Sequence, residues 1–97
     1  MFQVVLTDSA REDLSYLKKG VQTVILDAIE KQLALEPLKP TRNRKPLRTN
    51  SLAAWEVRVG SHRVLYDVDE AENQVLVKAV GWKEHNKLYF RGKELLS

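Results

Sequence analysis

Trp55-Glu56-Val57-Arg58-Val59-Gly60-Ser61-His62-Arg63-Val64-Leu65-Tyr66-Asp67-Val68 decides the fold. Two runs rich in β-branched and aromatic residues flank Gly60-Ser61, which fits a two-residue turn, so the stretch reads as an antiparallel hairpin. That turn sets the register. Val59 pairs with His62, Arg58 with Arg63, Val57 with Val64 and Trp55 with Tyr66. Side chains alternate between faces. Trp55, Val57, Val64, Tyr66 and Val68 therefore share one face, expected to be the core, while Glu56, Arg58, Arg63 and Leu65 share the other. Arg58 and Arg63 then lie directly opposite each other, roughly 5 Å apart at Cβ, where like charges destabilise the pair. Either an anion satisfies them, or Glu56 and Asp67 balance them on an open sheet surface.

Outward from the hairpin, Gln74 to Val80 is apolar and reads as a third strand after a loop at Asp69 to Asn73. Upstream, Lys39 to Ser51 shows no periodicity and contains Pro40, Asn43, Pro46 and Asn50, so it reads as a loop. Phe2 to Leu6 is a short β-branched strand. Thr7, Asp8 and Ser9 can each cap a helix, predicted at about residues 9–19, with Lys18, Lys19 and Gly20 as its C-terminal signal. Val21, Val24, Ile25, Ala28, Ile29 and Leu33 form one apolar stripe of a second helix that Pro37 and Pro40 end. Two helices separated only by Lys19-Gly20 form an antiparallel hairpin. Lys83 to Leu96 suits a short strand and turn or a helix. The order β-α-α-β-β-β is an α+β fold: an N-terminal strand, a helical hairpin and an antiparallel meander in a single domain over residues 1–97.

The chain has 97 residues, 43% hydrophobic, which supports one modest core. It has no cysteine, hence neither disulfides nor a thiolate metal site. The start, MFQVVLTDSARED, reaches charge too soon for a signal peptide, and no apolar run approaches the roughly 20 residues of a membrane span. These features point to a cytoplasmic protein with no membrane partner. The net charge of +3 is unevenly spread: residues 1–36 carry −2 and residues 37–97 carry +5. Lys39, Arg42, Arg44, Lys45 and Arg48 form a run with no acid in it. With Lys87 further on, these cations are the candidate nucleic-acid face.

The exit of the third strand, Gly81 to Tyr89, concentrates Lys83, His85 and Tyr89, groups able to move protons, beside aromatic surface able to stack on a base. Two histidines 23 positions apart argue against zinc, and the scattered glycines make no phosphate loop. No cofactor is expected.

Taken together these residues resemble toxins of the RelE/ParE superfamily. The resemblance runs over nearly the whole chain. It includes Lys45-Pro46-Leu47-Arg48, the hairpin with Arg58, Gly60, Arg63 and Tyr66 at the family's pattern positions, and Val80-Gly81-Trp82-Lys83 followed by Tyr89. The resemblance implies a type II toxin neutralised by a cognate antitoxin, within a toxin–antitoxin hetero-oligomer. Its RelE-like branch is a metal-independent endoribonuclease that cleaves mRNA in the ribosome. The alternative, ParE-like branch inhibits DNA gyrase without catalysis. Carried over by position, Arg58 and Arg63 would neutralise the scissile phosphate, and Lys83 is a basic catalytic position with His85 as alternative proton carrier. Tyr89 would contact the mRNA, and Lys45 and Arg48 would face ribosomal RNA. At the pattern's first basic position stands Glu56, which leaves three readings: a base, a partner of Arg58, or the mark of a chain that does not cleave RNA.

Overall fold

The computed structural model describes residues 1–47 and 52–91, and the backbone of 93–95. The described residues form strands β1 (Gln3–Leu6), β2 (Arg44–Pro46), β3 (Trp55–Val59), β4 (His62–Asp69), β5 (Gln74–Glu84), β6 (Lys87–Phe90) and β7 (Lys93–Leu95), with helices α1 (Asp8–Ser15) and α2 (Lys19–Leu33) between β1 and β2. The β3–β4 hairpin has the expected register, with Trp55 opposite Tyr66, Val57 opposite Val64 and Arg58 opposite Arg63. Gly60 has φ +60°, which its missing Cβ permits at the first position of a two-residue hairpin turn.

The sheet runs β2-β3-β4-β5-β6-β7, antiparallel throughout, and β1 adds a parallel pair on β5. One edge of β5 serves two partners: β1 pairs with residues 74–77 and β6 with residues 82–84. Between those stretches the backbone still needs partners. Thr7 supplies them at one end, donating from both its N–H and its Oγ1 to the Val77 carbonyl at 3.1 and 2.9 Å. Asp13 supplies the other, accepting from the Val80 N–H at 3.0 Å. Thr7 is also the N-cap of α1, its hydroxyl accepting from the Ala10 N–H.

Both helices lie on one face of the sheet. Ile25, Ile29 and Leu33 of α2 and Ala10 and Leu14 of α1 pack on Val57, Val64, Tyr66, Val75, Val77 and Val80, with Trp55 and Val68 at the margin. The expected core face of the hairpin is thus the observed one. Val24 is a correction: it is 60% exposed, because the buried stripe of α2 is narrower than its apolar residues suggest. The helix boundaries shift as well. The amides of Tyr16 and Leu17 bond back three residues, to Asp13 and Leu14, which tightens and ends α1 at Ser15. Lys18 is extended at the start of α2, so Lys19-Gly20 open the second helix instead of closing the first.

Two further expectations change, and one left open is decided. Residues 44–46, read as loop, form β2, because Lys45 and its neighbours pair with Trp55 to Val57. The ambiguous C-terminal segment forms β6 and β7, with the β5–β6 turn at His85-Asn86, where both residues take positive φ (51° and 66°) as a type I′ turn requires. The far face of the sheet is no open solvent surface. Leu65, Ala79, Phe90 and Ala53 make a second, smaller core there, flanked by Leu47, Leu52 and Leu88. Burial of Leu65 and Ala79 on this face goes with a register shift between Leu65 and Tyr66, where Lys78 is the extra residue on β5.

The chain after α2 is tied down by two side chains from the sheet. Arg44 donates through Nη1 to the Gln32 and Glu36 carbonyls, a cation at a helix C-terminus. The buried Tyr66 hydroxyl donates to the Pro37 carbonyl at 2.6 Å. Burial raises the Tyr66 pKa above its ordinary 10, against a smaller opposing pull from Arg44. The unfolded chain loses that proton as pH passes about 10 and the folded chain keeps it, so this stability is complete below about pH 10 and falls as pH climbs higher. Tyr66→Phe is expected to cost about 1–3 kcal/mol near neutrality, because the Pro37 carbonyl loses its donor. It should also flatten the alkaline loss of stability. Urea midpoints of both proteins at neutral pH and above about pH 10 check both effects.

Candidate functional site

Alternation along the strands sorts the candidate residues by face. On β3 and β4, Glu56, Arg58 and Arg63 point away from the helices, with Leu65 of the second core. On β5, Trp82 lines a cavity of about 440 Å³ with Asp13, Tyr16, Leu17 and His62, on the helix side. Its neighbours Gly81 and Lys83 therefore point to the far face. Gly81 lies opposite Arg63, which puts Lys83 diagonal to Arg63 at about 7–8 Å between Cα atoms. The Lys83 N–H donates to Ser61 in the hairpin turn at 2.9 Å. Lys45, opposite Glu56 on β2, completes the set: its Nζ is 3.9 Å from Glu56 Oε2. The far face thus gathers Lys45, Glu56, Arg58, Arg63 and Lys83.

Arg63 is the organised member. It is 6% exposed, and its Nη1 donates to the Gly60 and His62 carbonyls at 2.8 and 2.9 Å. The turn that sets the register also holds this guanidinium. Burial, and then the Arg58 charge, lowers its pKa, while Glu56 pulls it up. Arginine is protonated at any physiological pH, so the consequence is a desolvated, fixed positive charge. Arg58 is exposed. A guanidinium fixed in this way pays little reorganisation when an anion arrives.

Other expected residues stand elsewhere. Tyr89 pairs with Trp82 and stacks on it at 5.8 Å between centroids, on the helix side, so the sheet separates it from Arg58, Arg63 and Lys83. The cause is parity: Tyr89 sits opposite Trp82, and Phe90 takes the far face. His85 is exposed at the tip of the β5–β6 turn. Arg44, opposite Val57, is on the helix side of the sheet and donates to the Gln32 and Glu36 carbonyls at the end of α2. Lys39 pairs with Glu36 at 3.5 Å in solvent, and Arg42 is exposed in the turn before β2. Lys87 is exposed opposite Glu84 on the Tyr89 side of β6. Arg48 lies outside the described residues.

The sequence reading missed the work of Asp13. Beyond its bond to Val80, it pairs with Arg91 at 3.0 Å while 4% of its side chain is exposed. The burial of an acid between two helix-side apolar positions, Ala10 and Leu14, was the available signal.

With this geometry in view, relatives place the chain. The family model of the ParE toxin of the type II toxin–antitoxin system parDE matches residues 4–86. The chain belongs to the RelE/ParE superfamily of type II toxins. Toxin RelG of Mycobacterium tuberculosis is 30% identical over 79 residues, covering 81% of this chain and 87% of that toxin. The toxin–antitoxin complex RelBE2 from M. tuberculosis contains a similar chain, with a TM-score of 0.72 and 29% identity over 84% of this chain and 98% of that one. The archaeal RelE–RelB complex from Pyrococcus horikoshii OT3 shares the fold, with a TM-score of 0.64 at 18% identity, covering 81% of this chain and 91% of that one. No helix among the described residues is long and apolar enough to cross a membrane.

Gly81 has a testable part in this toxin fold. A Cβ there would lie 2.1 Å from the Tyr89 carbonyl oxygen and 2.5 Å from the Phe90 ring. Gly81→Ala must push β6 and Phe90 away from the strand that carries Lys83. A loss of about 1–3 kcal/mol is expected, the usual cost of overpacking, read from chemical denaturation.

Proposed function

We propose that this toxin cleaves mRNA in the translating ribosome, in the cytoplasm, and is silenced by a cognate antitoxin bound as a hetero-oligomer. The observation that carries the reading is the opposed pair Arg58 and Arg63, the latter pinned by its own turn, with Lys83 diagonal to it. In the reaction the RNA's own 2′-hydroxyl loses its proton to a base and attacks the adjacent phosphorus. The O2′–P bond forms and the P–O5′ bond breaks, and an acid protonates the leaving 5′ oxygen. Arg58 and Arg63 would neutralise the phosphate as negative charge builds on it, the kind of contribution often largest in an active site. Lys83 would carry a proton, worth about 10²–10⁴-fold. His85, two residues further along, is the alternative carrier. Lys45 lies on the same face and would meet backbone phosphates of the RNA. The antitoxin reading is supported by the two similar chains, each crystallised in a toxin–antitoxin complex.

One observation favours a second reading, a gyrase-inhibiting toxin without catalysis. Tyr89, the residue that the resemblance assigns to mRNA stacking, faces the helix side with Trp82.

Primer extension on translated mRNA separates the two. Codon-spaced cuts are expected with the wild-type chain, lost with Arg63→Ala. With Lys83→Met they should fall by about 10²–10⁴-fold. Tyr89→Phe is expected to keep cutting within about tenfold of wild type, less than a proton-transfer group contributes. Inhibition of DNA supercoiling without any cuts would assign the chain to the gyrase branch.

A further inference from the structure

Glu56 stands where the family pattern has a base, and its surroundings are unusual for a carboxylate. The residue is 4% exposed, and Oε1 is buried with no hydrogen-bond partner. Oε2 is 3.9 Å from the Lys45 ammonium, which lies directly opposite on β2. Arg58 is two positions along the same strand and face, about 7 Å away. Arg63 is the diagonal neighbour on β4, its charge opposed by Arg58 and supported by Glu56. Of the other acids described on this face, Asp67 is engaged by Lys78 at 3.9 Å and by the Ala54 N–H at 2.7 Å, and Asp69, at the far end of β4, accepts from the Glu72 N–H at 3.1 Å. Glu56 is therefore the negative charge that faces three cations.

An unpartnered buried carboxylate oxygen is costly, and a lone buried charge more so. Two guanidinium groups directly across a strand pair are costly as well. The two costs offset each other when the carboxylate lies among the cations. A phosphate that enters the same cluster would do what Glu56 does, and it would meet Glu56's repulsion while doing so.

We propose that Glu56 is a built-in counter-anion: it neutralises Lys45, Arg58 and Arg63 in the free protein and opposes phosphate binding at that cluster. RNA phosphate then binds in electrostatic competition with the chain's own carboxylate, without Glu56 having to touch it. The protein gives up affinity for phosphate groups in general and gains a cation cluster that stays folded when empty. The inference rests on reading the far face as the phosphate site, and it is independent of whether that phosphate is cleaved.

The test uses the full-length chain, wild type and Glu56→Gln. Two probes are used: a short 2′-O-methyl RNA, which cannot be cut by its own 2′-hydroxyl, and inorganic tripolyphosphate. The variant should melt at a lower temperature than wild type without ligand. It should also bind both probes more tightly by about tenfold or more, the scale of one unit charge at about 7 Å in an intermediate dielectric. Equal or weaker binding of the probes by Glu56→Gln overturns the proposal. If that variant does not fold, Lys45→Gln and Lys45→Gln/Glu56→Gln decide the matter. The double variant should bind the probes more tightly than Lys45→Gln alone, and weaker or equal binding overturns the proposal again. Cleavage is scored separately on translated mRNA. Tighter probe binding in a chain that never cuts keeps the counter-anion and removes the nuclease. Cutting by a chain whose Glu56→Gln variant binds no tighter does the reverse.

Discussion

The two-residue turn at Gly60-Ser61 is the constraint on which the rest depends. A tight turn admits one register, and with period-two alternation that register assigns every side chain of β3 and β4 to a face. Slipping it by one residue would send Val57 and Val64 out of the core and bring Arg58 and Arg63 into it. The core therefore enforces the arginine pair: burying valines and Tyr66 under the helices leaves the guanidinium groups no other side. The same turn then supplies the carbonyls that hold Arg63, so one local geometry serves both the packing of the hairpin and the placement of its charge.

What the sequence could convey follows from how local each interaction is. The hairpin register, the two helices and the core face of the sheet all come from neighbours within a few residues, and all were legible. The partner of β1 was not, because nothing in Phe2 to Leu6 names residues 74–77 as its mate. The short strand β2 was hidden by Pro46 and by the cations around it. Its pairing is created by β3 and not by its own propensity. The end of α1 was misplaced because Gly20, the usual signal just past a helix, here sits in the first turn of α2.

The placing of the site residues was legible in part. Arg58, Arg63, Lys83 and Lys45 do share a face, because parity along paired strands carries their relation. Tyr89 was expected beside them from resemblance alone, and the parity of β6 puts it across the sheet against Trp82. Arg44 looked like a member of a basic run, yet α2 ends where its guanidinium can reach two carbonyls. Charge counts treat cations as equivalent. Tertiary structure does not: Arg44 lies opposite Val57 on the helix side of the sheet, while its neighbour Lys45 points to the far face. Glu56 shows the converse, for an acid in a basic stretch became intelligible once Lys45, Arg58 and Arg63 surrounded it.

The parallel pairing of β1 with β5 has a consequence for the birth of the protein. Thr7 meets its acceptor on Val77 seventy residues later in the chain. The helical hairpin can form as it is made, but the strand in front of it stays unpaired until β5 has been synthesised. Contacts of such long sequence separation make folding slow, since the chain must close a large loop before any contact rewards it. The fold of this toxin thus cannot close around its first strand until residues 74–77 have left the ribosome.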